Sequence, residues 1–194
     1  SSHCFMKVFI IAAVTLLFIF GVASSSSAQG RDYMTEAEIE LVRDNQDIDT
    51  RVDVLTKMID RRFNVLRIEV GGWKETEKDQ KLWGDVPTGT RSNLLYDVRQ
   101  ILQKAVDDID DVAEHNENTL TQNKTEGLLF PVAVRALAAA ANRYLPALRS
   151  MLEKTTDERD KGVILTSIES CQAIIDSVSQ LPPEIKPTKK KGKS

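Results

Sequence analysis

Apolar residues recur along 130–151 at alternating spacings of four and three: Phe130, Val134, Leu137, Ala141, Tyr144, Leu148 and Met151. That rhythm sets them on one face of an α-helix. Ala138 to Ala141 add helix propensity and leave room for a neighbouring backbone. One such face cannot bury itself, so the rest of the chain reads as organised around this stretch. Three other segments supply partners. Ile48, Val52, Leu55, Ile59 and Leu66 keep the same rhythm in a first helix predicted over 35–70, with Arg62 standing on its core row. Thr35 and Glu38 form its capping-box pattern. A helix of that length would extend about 52 Å at 1.5 Å per residue, unless the chain breaks near Asp44-Asn45. Leu95, Val98, Leu102, Ala105, Ile109 and Val112 make the cleanest stripe, in a second helix capped by Thr90 or Ser92 and ending near 116.

The third helix is predicted over 126–154, with Asn123 and Glu126 as a second capping-box pair. Pro131 fits its first turns, whereas Pro146 removes an internal hydrogen bond and predicts a kink. Ile164, Ile168, Cys171, Ile175, Val178 and Leu181 define the fourth helix, which Pro182-Pro183 ends. Gly71-Gly72 stops the first helix, and 73–90 is the one long connection. Trp73 and Trp83 bracket a charged stretch there with room for a short helix; the indoles either pin the loop across the bundle end or form the lip of a pocket. The loops at 116–124 and 155–162 are short. These features predict an all-α fold: an antiparallel four-helix bundle with a long first helix and a long first connection, preceded by a signal peptide.

Charge divides the chain into three parts. The net −3 contains +4 in the lysine-rich tail 182–194 and +1 from Lys7, which leaves −8 for 29–181. An acidic body repels a phosphate backbone, so specific nucleic-acid binding is not expected. Lys186, Lys189, Lys190, Lys191 and Lys193 lie on a tail without apolar periodicity, which predicts disorder and allows weak contact with anionic surfaces. At the other end, Met6-Lys7 opens a charged start, Val8 to Ala23 is almost wholly apolar, and Ser26 and Ala28 occupy the positions of a small-x-small cleavage site. Cleavage between Ala28 and Gln29 is expected, giving a periplasmic or extracellular protein; sixteen apolar residues are marginal for a retained anchor, which needs about 20. Cys4 precedes the apolar run, where a lipidated cysteine would follow it. Residues 1–28 therefore read as upstream residues and signal peptide, 29–181 as the bundle domain, and 182–194 as the basic tail. Cys171 is the only cysteine left after cleavage, so the core must hold the fold without an internal disulfide.

Candidate chemistry adds little. Asp107, Asp111 and His115 have i, i+4, i+8 spacing suited to one metal ion, but Ala105, Ile109 and Val112 turn the acidic residues outward. No Glu-x-x-His pair, haem-attachment motif or zinc set is present. Cys171 lies on an apolar row and reads as a small core hydrophobe rather than a nucleophile. Gly-x-Ser-x-Gly, phosphate-binding and His-Glu-x-x-His motifs are absent. Asn123-Lys124-Thr125 fits a glycosylation acceptor in a eukaryotic source. Arg61 reads as surface, and Arg62 as snorkelling outward or paired with an acid of another helix. No catalytic, cofactor-binding or metal-ligating residue is assigned. The expectation is a non-enzymatic exported bundle acting by protein–protein contact. The alternatives are a small-ligand or metal carrier with Pro146, Tyr144 and the tryptophan loop as pocket wall, and an enzyme of unknown reaction.

Overall fold

The structure, a computed structural model, describes residues 31–115 and 124–183, and these form an all-α bundle of six helices. In chain order they are α1 (Glu36–Asp44), α2 (Ile48–Val65), α3 (Gln80–Trp83), α4 (Arg91–His115), α5 (Lys124–Lys154) and α6 (Glu158–Ser177), followed by a 3-10 turn at Val178–Gln180. This corrects the expected four helices and the expected long first helix, because the first helix has only 9 residues. Asn45 breaks it. Its backbone turns extended (φ −100°, ψ 92°), and its side-chain Nδ2 donates to the Leu41 carbonyl at 2.7 Å, beside its own backbone N–H at 3.2 Å. The Asn45 carbonyl accepts from Arg51 Nε at 2.9 Å. A short amide side chain thus offers the backbone an alternative to the helical ladder. The first connection is therefore residues 45–47, and α3 is the short helix for which the 73–90 connection had room.

The other end of α2 also differs. Arg67 takes a left-handed conformation (φ 58°), while Ile68 N–H donates to the Phe63 carbonyl and Arg67 N–H to the Asn64 carbonyl. This is a Schellman end, with arginine where glycine is usual, and it stops the helix before Gly71-Gly72. At two helix starts the caps follow the sequence, and Asn123 of the predicted Asn123/Glu126 pair lies outside the described residues. Thr35 and Glu38 complete a reciprocal capping box. Thr90 Oγ1 accepts from Asn93 N–H, and Asn93 Oδ1 accepts from Thr90 N–H at 3.0 Å. Asp157 caps α6 through Asp160 N–H. The helix α5 runs through Pro131 and Pro146 without interruption.

The helix α2 packs on α4 and α5, α6 packs on the same two helices, and α1 touches α2 and α3. Arg51 near the start of α2 approaches Asp108 late in α4, and Arg62 near its end approaches Asp97 early in α4, so these helices are antiparallel. Arg91 at the start of α4 donates to Thr155 in the α5–α6 turn at 3.2 Å. Hence α4 and α6 start at the same end and run the same way, with α5 against them. The predicted stripes meet in one core: Val52, Leu55, Ile59, Val98, Leu102, Leu137, Ala141 and Leu148 are all buried. The buried row of α6 is Ile164, Ser167, Cys171 and Ile174, with Ile168 and Ile175 flanking it. The helix α2 is buried over a wider arc than its predicted row, since Val54, Thr56, Met58, Asp60, Arg61 and Phe63 are buried as well.

Candidate functional site

The densest polar cluster grows from three consecutive charges on α2. Successive residues on a helix point in different directions, so Asp60, Arg61 and Arg62 reach three neighbours. Arg62 turns to α1 and α4: it donates to Glu38 Oε2 from Nη2 at 2.7 Å and to the Tyr33 carbonyl at 2.8 Å, and its Nε stands 3.7 Å from Asp97 Oδ2. This is the pairing alternative foreseen for Arg62. Arg61, expected on the surface, is instead buried. It donates to Glu38 Oε1 at 2.7 Å and to Glu75 Oε2 at 2.9 Å, and lies 5.5 Å from the Trp83 ring centroid. The off-row position misleads because α3 and its flanking loops cover that side of α2. Asp60 faces α5 and accepts from Trp73 N–H at 2.8 Å and Arg143 Nη1 at 3.1 Å, with the Tyr144 hydroxyl 3.0 Å away. Burial, with the Asp60 charge second, pushes the Tyr144 phenol well above its ordinary range. Gly72 allows this approach, since a Cβ there would lie 2.3 Å from Arg143 Nη1 and Asp60 Oδ1.

These contacts neutralise the charges against one another. A buried ion pair of this kind holds elements in register more than it adds net stability. The cluster fixes α1 and the tryptophan loop onto α2. Trp73 and Trp83 pack with ring centroids 4.9 Å apart, and Trp83 is buried. Tyr144 is buried and Pro146 is exposed on α5. None of these four residues lines either of the two hollows described next.

Open space lies elsewhere. A groove of about 710 Å³ runs between α4, α5 and α6. Its apolar walls are Val106, Ile109 and Ala113 of α4, Phe130, Val134 and Leu137 of α5, and Ala173 and Ile174 of α6, with Leu181 beyond. The cause is a row of small residues: Ser170, Ala173 and Ser177 on α6 are too short to fill the space that the larger α4 and α5 side chains border. Two carboxylates, Asp110 and Glu169, stand on the two parallel walls, and both are exposed. Partial burial, then the Glu114 and Asp107 charges, hold the Asp110 carboxyl above its usual range. A second hollow of about 720 Å³ lies where α4 and α6 begin. Charges of both signs line it, Arg67, Arg91 and Lys154 against Glu69, Asp157 and Asp160, so it selects no single ligand charge.

The sequence-derived candidates do not assemble into a reactive centre. Asp107, Asp111 and His115 lie on the exposed side of α4, where His115 Nδ1 pairs with Asp111 Oδ1 at 3.0 Å. No group of three metal-ligating residues converges among the described residues. Cys171 is free and buried, and burial pushes its thiol up to about 12. The signal segment 1–28, the Asn123 acceptor and the lysines of the tail lie outside the described residues. Val134, Leu137 and Ile109 are buried as the sequence stripes predict; the groove opens beside them, over the small residues Ser170, Ala173 and Ser177 of α6. Comparison with family models, with curated proteins and with solved structures gives no match to this chain.

Proposed function

We propose that this chain is an exported, non-enzymatic helical bundle that acts by protein–protein contact, taking an apolar segment of another protein into the α4–α5–α6 groove. The carrying observation is the groove itself: a hollow between three helices with Val106, Ala113, Phe130 and Ala173 half-buried or exposed on its walls. Apolar area withdrawn from water there contributes about 25 cal/mol per Å² before the costs of association. The charged cluster of α2 supports a scaffold role, since its groups are spent on one another. Export rests on the charged start, apolar run and Ser26/Ala28 pair. The groove is tested with an environment-sensitive apolar dye and the Ala173→Trp variant, which fills the groove from an exposed position. Saturable dye binding lost in the variant, at unchanged urea midpoint, supports the reading; binding indifferent to the variant refutes it. Mass spectrometry of the exported product tests the start at Gln29, and a dominant species retaining Val8 to Ala23 overturns cleavage.

A second reading is a small-ligand carrier, favoured by a groove volume within the range of about 300–1,000 Å³ that such sites occupy. Native mass spectrometry of protein from its own source decides it, by a retained small molecule or its absence. The lysine tail adds weak contact with anionic surfaces; loss of vesicle co-sedimentation on deleting 184–194 tests it.

A further inference from the structure

We infer that the partner segment is an amphipathic helix carrying lysine or arginine beside its apolar stripe. The inference rests on the groove being the contact site. Three observations lead to it. The walls are helices, and the described residues contain no strand, so no sheet edge is offered to an extended peptide; a groove between helices seats another helix by its i, i+3, i+4 and i+7 side chains. The α4 wall spans Gln103 to Ala113, about 15 Å at 1.5 Å per residue, which matches roughly three turns of a docked helix. Among the described residues the charge on the rim has one sign. Asp110 and Glu169 stand on opposite walls, no described lysine, arginine or histidine lines the groove, and neither carboxylate makes a hydrogen bond or ion pair with a described residue. Partial burial, and then the neighbouring Glu114 and Asp107 charges, raise the Asp110 carboxyl. A cation delivered between these groups relieves that repulsion, whereas an acidic helix or a phosphate surface increases it.

The test uses the folded chain and three fluorescein-labelled helical peptides of about 18 residues, long enough to hold helix once docked. They share one leucine stripe and differ only in flanking lysine, glutamine or glutamate. Anisotropy titration is expected to show the lysine peptide binding at least about tenfold tighter than the glutamate peptide. The gap narrows at high salt and in the Asp110→Asn/Glu169→Gln double variant, and Ala173→Trp abolishes binding of all three peptides. Equal binding by lysine and glutamate peptides, still blocked by Ala173→Trp, overturns the charge assignment and leaves the groove reading intact. Binding unaffected by Ala173→Trp overturns both. Failure of every peptide to bind, with dye still entering the groove, overturns the helix partner alone. Both carboxylates and Ala173 are exposed, and an unchanged urea midpoint for each variant verifies the fold.

Discussion

Glu38→Ala removes the anion that two buried guanidinium groups share. Glu38 Oε1 accepts from Arg61 Nη1 at 2.7 Å and from Arg62 Nη1 at 2.5 Å, and Oε2 accepts from Arg62 Nη2 at 2.7 Å. The three side chains are 0–1% exposed, so water cannot take the place of the carboxylate without opening the structure. Removing one partner of a buried pair costs about 3–5 kcal/mol. The same carboxylate accepts from Thr35 N–H in the capping box, and losing that contact adds up to about 1 kcal/mol. Glu75 and Asp97 remain near the two arginines and offset part of the loss, so the expected total is about 3–5 kcal/mol. In a chain of this size each kcal/mol moves Tm by about 2–4 °C, which gives a drop of roughly 6–20 °C. Urea titration and thermal melting by circular dichroism measure it. Glu40→Ala, which breaks the exposed pair with Arg43, is the control and stays within about 0.5 kcal/mol. Glu38→Leu combined with Arg62→Met recovers part of the loss, because apolar groups replace a buried pair at little cost. A loss under about 1 kcal/mol, with new protease cleavage at 45–47, refutes the reasoning: α1 would then detach alone and leave the arginines to water.

Three further outcomes follow from the packing. Leu102→Ala and Leu137→Ala each lower stability by about 2–5 kcal/mol in urea titration, while Glu114→Ala on the exposed side of α4 stays within about 0.5 kcal/mol; equal small effects would mean these leucines do not share the core. Gly72→Ala costs about 1–3 kcal/mol, since its Cβ meets Arg143 Nη1 and Asp60 Oδ1 at 2.3 Å, and a neutral result would show that the Asp60–Arg143 pair yields freely. The Cys171 thiol is raised from 9.0 to about 12 in the fold, so the unfolded chain releases that proton first. Its contribution to stability is therefore intact below pH 9 and lost as pH rises through 9 to 12. Tyr144 acts in the same direction as pH rises above 10. Urea midpoints across that range should fall with pH, and fall less in Cys171→Ala; an identical decline in the variant refutes the assignment.

The sequence alone determined that the chain is helical, which faces are apolar, and several helix ends. Periodicity reports the inward face of each long helix directly, and Thr35, Thr90 and Pro182-Pro183 act through contacts a few residues away. Arg62 was legible as a core-row charge for the same reason. The count of helices was legible only as an alternative, because the long 35–70 pattern continues across Asn45, and local competition for the Leu41 carbonyl decides that α1 ends there. Arg61 was misplaced because the segments that cover its side of α2, at Glu38, Glu75 and Asp85, come from residues 14 to 24 positions away. The widened apolar stripe of α2, with Val54, Met58 and Phe63 beside its main row, was the sign of that burial. The groove depended most on tertiary structure. A stripe states that a face is apolar; whether neighbouring side chains fill it depends on how α4, α5 and α6 are spaced and on Ser170, Ala173 and Ser177 meeting larger residues across the gap. Spacing between helices is a property of the packed core as a whole, and no local pattern encodes it.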